Sequence, residues 1–112
     1  MTISTHVLDT SIGRPAAAIA VQLLRQQGSN WLEVFRGETN ADGRVPALLP
    51  ARASAGAGAY RLTFDVGGYF QRQGVESFYG TIAIDFTARD AEGHYHVPLL
   101  VSPYGYSTYR GS

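Results

Sequence analysis

Between its glycines and prolines, the chain mostly alternates apolar and polar residues with a period of two. From Tyr60 to Val66, apolar Tyr60, Leu62, Phe64 and Val66 are interleaved with Arg61, Thr63 and Asp65. From Thr81 to Thr87, Ile82, Ile84 and Phe86 alternate with Thr81, Ala83, Asp85 and Thr87. Successive side chains of a strand point to opposite faces, so each run predicts a strand with one dry and one wet face. A third run, His94 to Ser102, sets Tyr95, Val97, Leu99 and Val101 on one face. Its other face carries His94, His96, Pro98, Leu100 and Ser102. Trp31 to Glu38 is β-rich but alternates less cleanly, and Ile3 to Leu8 and Tyr104 to Arg110 read as short strands near the two ends.

Two segments break this rhythm. Ala16 to Gln27 holds neither Gly nor Pro, and its Ala, Leu, Gln and Arg favour a helix on propensity. Ile19, Val21 and Leu23 keep the strand period, so the residues alone leave helix and strand evenly balanced. Gly68 to Ser77 fits a short helix, because Tyr69, Phe70 and Gln73 fall at helical spacing. Asn40-Ala41-Asp42-Gly43 is a turn, and Ala53-Ser54-Ala55-Gly56-Ala57-Gly58 is a small-residue loop that predicts a flexible tip. Seven or eight short strands with frequent turns predict an all-β protein, an antiparallel β-sandwich. No internal repeat or boundary appears in the 112 residues, which fit one domain, residues 1–112.

Composition narrows the function. Nine basic and nine acidic residues cancel, which argues against nucleic acid as a partner. Only 16% of residues are charged, against roughly 25% in an average domain, a sign that partners cover part of the surface. The absence of cysteine excludes disulfides, thiolate metal sites and cysteine nucleophiles. No apolar run approaches the ~20 residues of a membrane span, so no membrane partner is expected. The opening MTISTHVLD lacks a basic region followed by an apolar core, so the expected compartment is the cytoplasm.

Candidate chemistry rests on few residues. There are three histidines. His94 and His96 share a face of their strand, opposite the apolar one, so His96 should point away from the core. A face of His, Pro, Leu and Ser is neither plainly polar nor plainly core, and looks like a surface meant to be covered. His-x-His on a strand could instead bind zinc, with His6 as third ligand, but no neighbouring carboxylate would orient those imidazoles. Arg44 follows Asp42-Gly43 at a strand start, where it is either a solvated turn residue or a cation facing an oxyanion. The tail from Tyr104 to Ser112 carries three tyrosines and Arg110, which predict a docked rather than a frayed end, either a structural edge strand or a site whose arginine suits urea-like and carboxylate groups. No phosphate-binding loop, dinucleotide fingerprint or Gly-x-Ser-x-Gly elbow occurs.

Four stretches taken together resemble a known family. STHVLDTSIGRPA near the start, NADGRV in the middle, YRLTFDVGGYFQRQGVESFY after it and HYHVPLLVSPYGYSTYRGS at the end are similar, in order, to the transthyretin-related proteins that act as 5-hydroxyisourate hydrolases. The YRGS ending is the most specific part, and the hormone carriers of the same fold lack it. One departure is that Gly80 and Thr81 stand where the family usually has proline and an acidic residue. The resemblance implies a prealbumin-like antiparallel β-sandwich of two four-stranded sheets with one short helix, and it turns Ala16–Gln27 into a strand. It implies a homotetramer, a dimer of dimers, with active-site grooves between dimers. It implies hydrolysis of 5-hydroxyisourate to 2-oxo-4-hydroxy-4-carboxy-5-ureidoimidazoline in urate breakdown, with no metal and no cofactor. By the same resemblance the catalytic residues are His6, Arg44 and His96. The substrate-binding residues are His6, Arg44, Tyr109, Arg110, Gly111 and Ser112. Either imidazole could take the water's proton, with His96 preferred. The runner-up is a non-catalytic carrier of a planar small ligand on the same fold.

Overall fold

A computed structural model describes residues 1–49 and 56–112; residues 53–55 of the expected loop tip lie outside the described residues. Its strands are β1 (Thr2–Asp9), β2 (Arg14–Pro15), β3 (Ala20–Gln27), β4 (Asn30–Glu38), β5 (Arg44–Leu49) and β6 (Gly58–Asp65). The helix α1 (Val66–Arg72) follows, then β7 (Thr81–Ala88), β8 (His94–Ser102) and β9 (Gly105–Thr108). One sheet runs β4-β3-β6-β7. The other runs β1-β8-β9, with the free side of β1 shared by β5 along its first half and β2 along its second. The expected two sheets and one helix are therefore present, and two-residue β2 is an additional short edge.

The alternation in the sequence is what closes the sandwich. Tyr60, Leu62 and Phe64 of β6, Val21 and Leu23 of β3, and Leu99 and Val101 of β8 all point inward and are buried. Each fully buried Leu, Val or Phe contributes roughly 1.5–3 kcal/mol from removal of apolar surface. This decides the ambiguous Ala16–Gln27 segment. From Ala20 it is a strand flanked on both sides, by β4 and β6, and a helix there would throw Ile19, Val21 and Leu23 off the shared inner face. Tertiary packing overrides the helical propensity of its Ala, Leu and Gln.

The helix starts earlier than the sequence suggests. Asp65 ends β6 and caps α1, its carboxylate accepting from Gly68 N–H at 3.0 Å, so Val66 belongs to the helix rather than to the strand. Helical spacing puts Val66, Tyr69 and Phe70, three and four apart, on one buried face, and the helix ends at Arg72 with Gln73 as its cap, short of Ser77. Gly80, where the resemblance leads one to expect proline, does not distort β7, whose pairing with β6 is regular from Thr81 to Ala88. Gly67 N–H donates to Gly80 O at 2.8 Å, and a Cβ on Gly67 would come within 3.0 Å of Gly80 Cα.

The pairing of β1 with β8 is parallel over eight residues, within a sandwich otherwise built from antiparallel pairs. Alternation cannot distinguish the two directions. This pairing positions the site, because it sets Ser4 opposite His96 and His6 opposite Pro98.

Candidate active site

The outer face of the first sheet collects three of the predicted site residues. On β1, inward Ile3, Thr5 and Val7 are buried, so Thr2, Ser4, His6 and Leu8 face out. On β8 the inward set is Tyr95, Val97, Leu99 and Val101, which leaves His94, His96, Pro98 and Leu100 outward. As expected, His96 points away from the core. The second sheet's outer face differs in kind: it carries Gln22, Thr63 and a bidentate Arg61–Asp85 ion pair, an ordinary solvated surface.

Arg44 is delivered to this face by the Asn40–Gly43 turn. Asn40 Oδ1 accepts from the N–H groups of Asp42 and Arg44, each at 3.0 Å, and Gly43 N–H donates to Asn40 O at 2.9 Å. Gly43 has φ of +73°, and a Cβ there would collide with the carbonyl oxygen of Val7. Its own carbonyl accepts from Val7 N–H at 2.7 Å. The turn is thus welded to β1, and Arg44 emerges as the cross-strand partner of His6. Directly opposed antiparallel residues hold their Cβ atoms ~4.5–5.5 Å apart, so the side chains of Arg44 and His6 start side by side on this face.

His96 is held on two sides. Ser4 Oγ lies 2.8 Å from its Nδ1. On the other side, a Cβ added to Gly111 would come within 2.5 Å of His96 Cδ2, so only glycine fits against the ring. Gly111 N–H also donates to His96 O at 2.7 Å. The imidazole is half-buried, and its pKa is lowered from the ordinary value of 6.5, first by that burial, then by the positive fields of Arg44, His6 and His94. A neutral imidazole at neutral pH is the form that accepts a proton.

The tail keeps its register along β8 to reach this spot, with one interruption at Pro98. Antiparallel pairing alternates bonded and non-bonded pairs, and the bonded set on β8 would include His96–Gly111, Pro98–Tyr109 and Leu100–Ser107. Proline has no N–H to give at the middle position. β9 therefore stops at Thr108, whose hydroxyl donates to Pro98 O at 2.7 Å, and pairing resumes only at Gly111. Tyr109 is exposed at this break, and Ser112 follows Gly111 at the chain's last described position.

Arg110 is placed apart from His6, Arg44 and His96. Its guanidinium lies 4.8 Å over the ring of inward-facing Tyr95, beside a cavity of about 290 Å³ between the sheets that is lined by Ile84, Phe86 and Val97. The structure thus brings His6, Arg44, His96 and Gly111 together and turns Arg110 toward the sandwich edge. Among the described residues, His, Cys, Asp and Glu side chains form no group of three that could hold a metal ion. His94 Nδ1 is engaged by the Thr2 hydroxyl, as His96 Nδ1 is by Ser4. Ser4 is a site residue that sequence reasoning missed. Its signal was present: Ser4 and His6 are two apart and share a strand face. What was missing was the parallel register with β8.

Comparison with known proteins adds the following. A model of the HIUase/Transthyretin family matches residues 3–111. A "5-hydroxyisourate hydrolase 2" from Rhizobium meliloti (strain 1021) is 46% identical over 114 residues, covering 98% of this chain and 95% of its own. The solved 5-hydroxyisourate hydrolase of Klebsiella pneumoniae superposes with a TM-score of 0.87 at 40% identity, over 100% of both chains. Sea bream transthyretin in complex with thyroxine superposes with a TM-score of 0.91 at 30% identity, over 99% of this chain and 95% of its own. No helix among the described residues is long and apolar enough to cross a membrane.

Proposed function

Because the chain belongs to the HIUase/Transthyretin family, we propose that it is a 5-hydroxyisourate hydrolase that opens the substrate's six-membered ring with water to give 2-oxo-4-hydroxy-4-carboxy-5-ureidoimidazoline. The observation that carries this reading is the convergence of a neutral imidazole, a second imidazole and a guanidinium on one sheet face. Cleavage of a cyclic amide needs an activated water, a counter-charge for the developing oxyanion and a proton for the leaving nitrogen. His96 takes the water's proton as the oxygen bonds to the carbonyl carbon. Arg44 faces the negative charge that grows on the carbonyl oxygen. As the carbon–nitrogen bond breaks, the imidazolium returns the proton to the leaving nitrogen. His6, beside Arg44, and Tyr109, Gly111 and Ser112 would bind the ring's polar edges, whereas Arg110 is turned from them over the Tyr95 ring. No step requires a metal or an organic cofactor.

The working form in this reading is a cytoplasmic homotetramer, a dimer of dimers, built from the single domain 1–112. Its support is the outer face itself, where partly exposed Leu8 and Leu100 flank the histidines and a second copy would both cover apolar surface and close a groove. The runner-up, a non-catalytic carrier, has one specific observation in its favour: the thyroxine complex of a transthyretin with this fold. One assay separates the two. Freshly prepared 5-hydroxyisourate mixed with the protein loses its ultraviolet absorbance faster than the spontaneous background if the chain is the hydrolase. Loss at the background rate would leave the carrier.

A further inference from the structure

We propose that Ser4 is a positioning residue for His96, holding its imidazole in the tautomer protonated on Nδ1 so that bare Nε2 faces the attacking water. The proposal deepens the hydrolase reading and rests on it for the direction of proton transfer.

The geometry is a ladder of hydroxyl–imidazole rungs along the parallel β1–β8 pair. Thr2 is opposite His94 and Ser4 is opposite His96, and in both rungs the hydroxyl meets Nδ1. The two rungs differ in burial. His94 is exposed, whereas Ser4 is 8% exposed and His96 is half-buried. The Ser4–His96 contact is therefore shielded from competing water, and it is the stronger orienting contact. Gly111 then closes the other side of the ring, where any larger residue would strike Cδ2. An imidazole pinned at Nδ1 and flanked at Cδ2 has one nitrogen left for chemistry, Nε2.

A serine in this position does something a carboxylate would not. A hydroxyl oxygen accepts from Nδ1–H in the neutral ring and goes on accepting once the ring is charged. It fixes orientation without adding a negative field, so the ring stays neutral at working pH. Aspartate there would raise the basicity of His96 and place a negative charge near the developing oxyanion. The same hydroxyl can reverse its role and donate to a bare Nδ1, and that reversal is the state the proposal excludes.

The experiment is long-range proton–nitrogen NMR on full-length protein labelled with nitrogen-15 in its histidines, together with kinetics on 5-hydroxyisourate. In the unsubstituted protein, His96 should give a protonated Nδ1 and an unprotonated Nε2. Ser4→Ala should shift the ring toward the Nε2–H form and lower kcat about tenfold, with KM nearly unchanged. Ser4→Thr, which keeps a hydroxyl at the same place, should recover the tautomer and most of the turnover. A purely structural serine would move the melting temperature and leave the tautomer alone. The proposal falls if unsubstituted His96 is protonated on Nε2, or if Ser4→Ala leaves its tautomer unchanged. Those NMR outcomes do not depend on turnover, so a protein that fails to consume 5-hydroxyisourate would overturn the hydrolase reading by itself. Should Ser4→Ala fail to fold, the unsubstituted protein and Ser4→Thr still decide the point.

Discussion

Arg44 and His6 are cross-strand partners, and the charge of Arg44 also reaches His96 one row away. A guanidinium beside two imidazoles does two jobs. In the proposed reaction it would supply a fixed positive charge for an oxyanion, and it disfavours a second positive charge on the ring proposed as base. Arg44→Ala should therefore cut kcat/KM by tenfold or more while light scattering still reports the same oligomer. It should also move the acidic limb of the pH–rate profile upward, toward the ordinary imidazole range. A lower rate with an unmoved limb would mean that Arg44 binds substrate but does not tune His96.

The limb itself has a predicted place. Burial and the neighbouring positive charges hold His96 below 6.5, so kcat/KM should stay flat as the pH falls through 6.5 and drop only at lower pH. Stability follows the same sign. The unfolded imidazole protonates near 6.5 and the folded one below it, so the unfolded chain binds more protons in that window. The stability that His96 lends above 6.5 is lost as the pH falls toward its folded value. Urea midpoints of the unsubstituted protein should fall more steeply with acidification there than those of His96→Asn.

The two histidines should separate kinetically. His96→Ala removes the proposed base and should cost ~10²–10⁴ in kcat, the usual worth of a positioned general base. His6→Ala leaves Ser4, His96 and Gly111 in place, and should cost less in kcat and more in KM. The reverse pattern, with His6 carrying the larger kcat loss, would exchange their roles.

Much of this was readable in advance, for identifiable reasons. Period-two alternation marked β6, β7 and β8 because each has one face against the core. It also placed His96 outward, since Tyr95 and Val97 had to face in. The strand β3 was not readable from propensity, because its Ala, Leu and Gln become strand formers only between two neighbours. Ser4 was hidden because its meaning depends on a partner 92 residues away in a parallel register, which no local pattern encodes. Arg110 was misleading for a related reason. Its place in the tail motif says nothing about which side of the sheet its side chain takes, and the chain lifts away from β8 just there.

Gly43 tests how the turn presents Arg44. Its φ of +73° and the carbonyl of Val7 leave no place for a side chain. Gly43→Ala should destabilise the fold by roughly 1–2 kcal/mol from left-handed strain alone, and further from the collision with β1. The melting temperature should fall by several degrees, and kcat/KM should fall with it as Arg44 loses register with His6. A variant as stable as the parent would show that the turn relaxes freely and that its weld to β1 is unimportant.

Gly111 makes the most pointed test of the tail. The chain beyond Thr108 rejoins β8 through Gly111 N–H donating to His96 O, and the absent side chain is what admits the imidazole. Gly111→Ala places a methyl 2.5 Å from Cδ2, so the ring must turn or the tail must lift. Little core is disturbed, because the sheet pairs from Leu99–Thr108 to Ser102–Gly105 are untouched. The expected outcome is a protein that melts within a few degrees of the parent yet turns over at least tenfold more slowly. Deleting residues 109–112 should abolish activity and leave the same β-rich circular dichroism spectrum. If Gly111→Ala keeps full turnover, the ring has room to spare and the glycine's fit against it does not matter. If the truncated chain unfolds instead, the tail is a structural strand whose loss says nothing about chemistry, and the assignment of its residues to the site loses its main support.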